Sequence, residues 1–172
     1  MGCSSPRSLV WVGTGALGHL ADDFHQRLQA VAHRKGYDPD ASLELAKLSH
    51  AYRSIIDMPV DTYQRYGSAD TVLETAGFPA ARGEFCGAGL LYQWHVIELA
   101  ELAPHIRRQD QTLGVFGVPD ASIRDFVAAV AGRGIDRIVP IGKALDFGRF
   151  WDGYDLLAEF TRRVAVDVSG RT

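Results

Sequence analysis

The sequence predicts an α/β fold, a mostly parallel sheet with helices on both faces, and three stretches carry that expectation. The first is a βαβ unit: an apolar strand over residues 112–118 (TLGVFGV), a helix opened by Pro119 and Asp120 with Ile123, Phe126, Val127 and Val130 on one face, and a strand over 137–141 (RIVPI). Two strands joined by one helix run parallel through a right-handed crossover. The second is a strand–turn–helix at the start, where SLVWV (8–12) meets the glycine run GTGALG (13–18). The third is LLYQWHV (90–96), an aromatic and β-branched run of strand length.

The remaining elements follow in chain order. After the glycine run, Asp22 or Asp23 is expected to cap a helix that carries Phe24, Leu28 and Val31 inward and stops at Gly36. A turn containing Pro39 leads to a second helix with an apolar stripe of Leu43, Leu45, Leu48, Tyr52 and Ile55, ending before Pro59. Residues 61–82 lose periodicity; Gly67, Gly77 and Pro79 punctuate them, and 61–74 reads as irregular chain or a short helix. Residues 97–107 have helix or loop character around Pro104. The tail reads as a helix over 151–161 and a last strand over 164–168 (VAVDV). No repeat, low-complexity tract or linker divides the chain, so one compact domain spanning 1–172 is the expectation.

Composition narrows the function classes. An apolar content of 47% with 23% charged residues is that of an ordinary globular protein, and a formal charge of -3 offers no long-range attraction to nucleic acid or an anionic membrane. The pair Arg107 and Arg108 could still contact a phosphate locally. No apolar run approaches the roughly 18 residues of a membrane span, and residues 1–20 lack the pattern of a secretory leader, so no membrane span and a cytoplasmic location are expected. Two cysteines, Cys3 and Cys86, with no CxxC pair support neither a disulfide framework nor a structural zinc site. The six histidines show no ligand spacing, so no metal site is expected; most read as surface residues.

Four features bear on chemistry. Cys3 stands in a polar turn, Gly2-Cys3-Ser4-Ser5, directly before the first strand, a mounting suited to a thiol nucleophile; Ser4 and nearby backbone amides could support a thiolate or an oxyanion. The alternative for a lone cysteine is a small buried hydrophobe, the reading that suits Cys86 between Phe85 and Gly87. GTGALG fits GxGxxG between strand and helix, but Asp38 and Asp40, spaced to hold a ribose, sit in a turn with no strand before them; a tight strand-to-helix turn is the competing reading. His95, closing LLYQWHV beside Trp94, is the histidine to test as a general base against a packed strand-end residue. Residues 134–157 hold Lys143, Asp146 and the run WDGYD, either a loop and capped helix packing on a sheet edge or an aromatic rim for an acyl channel.

Two segments at opposite ends carry a family resemblance: CSSPR (3–7) leading into a strand, and GIDRIVPIGKALDF (134–147) with WDGYDLL (151–157). Together they make the chain resemble the C-terminal catalytic domain of the LuxC family of acyl-CoA reductases, within the aldehyde dehydrogenase superfamily. The resemblance implies an aldehyde-dehydrogenase-like catalytic domain in which Cys3 takes an acyl group from acyl-CoA or an acyl carrier as a thioester, which NADPH then reduces to a fatty aldehyde. It implies for Glu84, in EFCG (84–87), a contact to the nicotinamide ribose, although Phe85 stands one position early. The family's nucleotide-binding domain is absent from these residues. The resemblance therefore implies an excised, truncated or split catalytic part, weakly active alone, with NADPH held mainly by a missing domain or partner chain. It also implies a homo-oligomer paired through the C-terminal strand. The rival readings are a non-catalytic assembly subunit of the same fold and a small nucleotide-binding module built on GTGALG.

Overall fold

A computed structural model describes residues 5–79 and 86–166. They form a mixed α/β structure whose larger sheet is mostly parallel, and the chain separates into two compact units, residues 1–105 with 119–129 and residues 106–118 with 130–172.

The first unit is built on a four-stranded sheet in the order β1-β4-β3-β2, with β1 Ser8–Val12, β2 Thr62–Arg65, β3 Thr71–Glu74 and β4 Leu90–Val96. β1 and β3 run parallel to β4 on either side, and β2 closes the edge antiparallel to β3. Strands 8–12 and 90–96 are those expected. β4 is central because nearly all of it is buried, as its unbroken apolar run requires. The hairpin β2–β3 replaces the irregular chain or short helix expected over 61–74. Its strands are four residues each and β2 (TYQR) is mostly exposed, so neither shows alternation, yet Val72 and Leu73 of β3 are buried core.

Two helices cover this sheet. α1 Gly18–Arg34 begins four residues before the expected cap: Leu17 takes the cap position without a side-chain bond, and Asp22 and Asp23 lie inside the helix. The carboxylates serve other ends, Asp23 accepting from Arg27 Nε at 2.7 Å and Asp22 from the Tyr66 hydroxyl at 2.6 Å. The inward face is Ala21 and His25, with Leu28 and Val31 exposed.

α2 Ala41–Asp57 is capped by Asp40, which accepts from the Leu43 amide at 2.8 Å. Its buried face is not the apolar stripe expected from Leu45, Tyr52 and Ile55, which are exposed, but Lys47, Ala51 and Ser54, spaced i, i+4, i+7. The sheet side selects them. Lys47 Nζ donates to the carbonyls of Ser68 and Ala88 and pairs with Glu44 at 2.7 Å, while the Ser54 and Tyr92 hydroxyls lie 2.9 Å apart.

Tyr92 thus faces α2, whereas Gln93 beside it on β4 bonds His25 of α1. Adjacent strand residues point to opposite sides, so α1 and α2 lie on opposite faces of the sheet. A 3-10 helix Leu99–His105 buries Leu102 and Ala103, and α3 Asp120–Val130 buries Phe126.

The second unit contains β5 Thr112–Val115 and β6 Arg137–Pro140, paired in parallel as the βαβ reading expects. The helix expected over 151–161 is mostly absent. β7 Phe150–Trp151 and β8 Tyr154–Asp155 form a hairpin, followed by the short α4 Leu156–Glu159. The cause is the Asp152-Gly153 pair, both at positive φ (49° and 83°), the backbone of a two-residue hairpin turn. Arg149 forks onto Asp155 at 2.8 and 2.5 Å, and the Arg137 guanidinium lies 4.3 Å from the Trp151 ring centre. The last strand expected over 164–168 is not formed by its described residues: Val164 and Val166 are exposed, with no neighbouring strand to pair.

Candidate functional site

The densest polar arrangement among the described residues lies between α1 and the sheet. His25 reaches the sheet because Ala21, one turn earlier, is small enough to let the helix approach. Its Nδ1 lies 2.8 Å from Asp70 Oδ2 and its Nε2 2.7 Å from Gln93 Oε1, both within hydrogen-bond distance, and both His25 and Asp70 are 0% exposed. A carboxylate at Nδ1 and an amide oxygen at Nε2 both favour the protonated ring. Burial pulls the His25 pKa down, but the bonds to Asp70 and Gln93 and the charges of Asp70 and Asp22 outweigh it, so the pKa lies above the ordinary value.

The β2–β3 turn sets this geometry. Gln29 of α1 accepts from the Ala69 amide at 3.2 Å, and the Tyr66 amide donates to the Asp70 carbonyl at 3.0 Å, which fixes Asp70 under His25. Tyr66 then stacks on His25, ring centres 4.7 Å apart and planes 17° apart, and Phe24 meets the same imidazole edge-on. The Tyr66 hydroxyl is held as a neutral donor: burial, its bond to Asp22 and the charges of Asp22, Asp70 and Glu74 push its pKa well above the ordinary range.

Beside this cluster is an open cavity of about 280 Å³ at the N-terminal end of α1. Its floor alternates along the sheet, with Gln64 and Tyr66 from β2 and its turn, Val72 and Glu74 from β3, and Gln93 from β4; Ala21 and Asp22 of α1 form the opposite wall. Gln93, bonded to His25, thus also lines the cavity.

The residues expected from sequence fall as follows. Cys3, Ser4 and Glu84 lie outside the described residues. His95 is on β4, half-buried, beside Trp11 of β1 in the sheet register; it shares a face with Gln93 but is not among the residues lining this cavity. Cys86 is half-buried, and burial raises its thiol pKa. The glycine run does form a strand–turn–helix, with no atom within 4 Å of a Cβ placed on Gly13, Gly15 or Gly18. However, α1 leads directly into α2 with no strand between them, and Asp40 is occupied as the α2 cap. This arrangement lacks the second strand and the free acid of a dinucleotide site, so no described residue is assigned to NADPH. No group of three His, Cys, Asp or Glu side chains is placed to hold a metal ion among the described residues.

From sequence none of His25, Asp70, Tyr66 and Gln93 is singled out, and Asp22 is only a candidate helix cap. Most of the six histidines read as surface residues from sequence, and His25 is instead fully buried. The available signal was Gln93, an amide in the middle of an otherwise apolar strand, since a buried polar side chain requires a partner. No family model and no curated protein matches this chain.

Proposed function

We propose that this chain is the thioester-forming part of an acyl-CoA reductase, with an aldehyde-dehydrogenase-like fold and Cys3 as the nucleophile. The observation that carries the reading is the segment CSSPR leading into β1, together with the two C-terminal segments that resemble the LuxC family. The sheet supports it: the Arg7 carbonyl accepts from the Tyr92 amide at 3.1 Å and β1 lies parallel against β4, so the chain four residues after Cys3 is tied to the best-buried strand.

The acylation step balances without a cofactor. The Cys3 thiolate attacks the acyl carbonyl of acyl-CoA or an acyl carrier, a carbon–sulfur bond forms to Cys3, and the carrier leaves as its own thiolate. Ser4 and the adjacent amides would stabilise the oxyanion. The overall reaction proposed is reduction of that thioester to an aldehyde, with NADPH as the hydride donor.

Incubation of the chain with a long-chain acyl-CoA, followed by intact-mass measurement, tests the reading. An acyl adduct is expected that is absent in Cys3→Ala and retained in Cys86→Ala, because the raised thiol pKa of Cys86 leaves less thiolate there. No adduct on the wild-type chain, even with a cofactor domain supplied, would sink it.

A second reading, an assembly subunit of the same fold, is favoured by one observation in the second unit. Phe147, Phe160 and Val164 are 74%, 84% and 83% exposed, which suits a surface that contacts another chain.

A further inference from the structure

Asp70 is the one fully buried residue of the β2–β3 turn, residues 66–70, and its carboxylate leans on a single side chain. Oδ2 lies 2.8 Å from His25 Nδ1, while Oδ1 is buried with no hydrogen-bond partner among the described residues. No lysine or arginine among them pairs with it. The groups facing the pair add no positive charge either. Helix α1 brings Asp22, the turn brings Tyr66 as a neutral hydroxyl, β3 brings Glu74 to the side of Tyr66, and β4 brings the uncharged amide of Gln93. His95 lies two residues along the same face of β4, beside Trp11 of β1. The proton on His25 is therefore what compensates Asp70. Without it the fold encloses a carboxylate whose charge has no counterpart, which is strongly destabilising.

The turn is built to yield on its own. Its other ties to the helices are polar: Gln29 Oε1 accepts from the Ala69 amide at 3.2 Å, the Tyr66 hydroxyl donates to Asp22 at 2.6 Å, and Lys47 Nζ donates to the Ser68 carbonyl. Water replaces such bonds at modest net cost. β2, the strand that would leave with the turn, is mostly exposed and lies at the sheet edge, whereas β3 keeps Val72 and Leu73 buried alongside β4. Lys47 retains the Ala88 carbonyl and Glu44 when Ser68 departs. Opening the hairpin thus carries Asp70 into water and gives up little apolar burial beyond the stacked Tyr66.

We propose that His25 and Asp70 form a pH-sensitive latch on the β2–β3 hairpin: the protonated ring holds the turn against α1, and loss of the proton opens the hairpin while β1, β4 and β3 stay paired. The direction follows from linkage. Burial opposes the charge on the ring, but the bonds to Asp70 and Gln93 outweigh it, so the closed hairpin holds the proton more tightly than the open one, whose imidazole titrates near the ordinary 6.5. Below that value both states are protonated and the latch is shut. Between it and the raised value of the closed state, opening releases a proton, and each pH unit favours it by up to about tenfold.

Hydrogen exchange of the full chain between pH 6 and 9, read by mass spectrometry and expressed as protection relative to the unfolded chain at the same pH, provides the test. Peptides covering 62–70 should be at least tenfold less protected than the peptide covering 90–96 at every pH, as a hairpin that opens separately requires, and should lose protection at least about fivefold as pH rises. Fraying that left His25 on Asp70 would release no proton and show no such dependence. Asp70→Asn removes the buried charge, so protection at 62–70 should vary less than about twofold across the range. His25→Gln, which keeps only a neutral donor, should leave that protection low and independent of pH. An NMR titration of the wild-type His25 ring needs no variant and should show it protonated above pH 6.5. The proposal is overturned by protection at 62–70 that equals that at 90–96, by its independence of pH in the wild type, by an undiminished pH dependence in a folded Asp70→Asn or His25→Gln, or by a His25 ring that is neutral throughout. Where neither variant folds, the wild-type exchange and the ring titration decide it.

Discussion

The imidazole of His25, enclosed between the Asp70 carboxylate and the Gln93 amide, ties stability to pH. A free histidine titrates near 6.5, and in the fold the pKa is raised, so the folded chain holds this proton more tightly than the unfolded chain does. The resulting stabilisation is fully present below about pH 6.5 and is lost as pH rises through the folded value. Urea unfolding of the wild type and Asp70→Asn across pH 5 to 9 should show this. The variant removes the counter-charge and costs about 3 kcal/mol or more at the acid end, with the gap to the wild type narrowing as pH rises. A gap that stays constant with pH would contradict an imidazolium at His25. At this scale the sequence was only partly legible. Gln93 announces itself as an amide inside an apolar strand, but its partner His25 lies 68 residues away along the chain and Asp70 lies 45 from His25, and no local pattern connects them.

Elements were more legible than residues where the pattern was long. β1, β4 and the β5–β6 pairing stand where periodicity places them, because a buried strand needs a continuous apolar run and a parallel connection needs a helix. The hairpin β2–β3 escaped because four-residue strands are too short for alternation, and the inward face of α2 escaped because it is polar. In that face Lys47 extends its stem through the interior to reach carbonyls in the two turns that precede β3 and β4. The same two turns meet at Gly89, whose φ of +75° suits only glycine well and whose added Cβ would enter the carbonyl oxygen of Ala69. Gly89→Ala should therefore cost about 3 kcal/mol or prevent folding, since the Thr71 amide bond to the Gly89 carbonyl that starts the β3–β4 ladder cannot form undistorted. Gly15→Ala, with open space around the new methyl and no positive φ, should stay within about 0.5 kcal/mol of the wild type. Thermal unfolding of the two variants separates these outcomes, and equal melting temperatures would refute the role given to Gly89.

At the scale of the whole molecule, the two compact units bury their strands very differently. In the first unit β3 and β4 are almost wholly buried, and fully burying one leucine such as Leu73 or Leu90 contributes about 2 kcal/mol. In the second unit β5 alternates between exposed and half-buried, β6 is half-buried except at its exposed last residue, and the two form a parallel pair, an arrangement that in larger sheets has both faces covered. Local opening should follow this contrast, because amides exchange from whichever cooperative unit has the lowest opening free energy. Hydrogen exchange read by mass spectrometry on the isolated chain should show peptides covering 112–115 and 137–140 exchanging at least tenfold faster than the peptide covering 90–96, with graded denaturant raising the first two before the third. If a partner chain covers the exposed aromatic residues of the second unit, protection at 137–140 and around Trp151 should rise on mixing while that at 90–96 stays unchanged, because Arg137 links β6 to the ring of Trp151. Uniform protection across all three strands in the isolated chain would show instead that the units open together, and that the second unit's stability does not depend on what covers it.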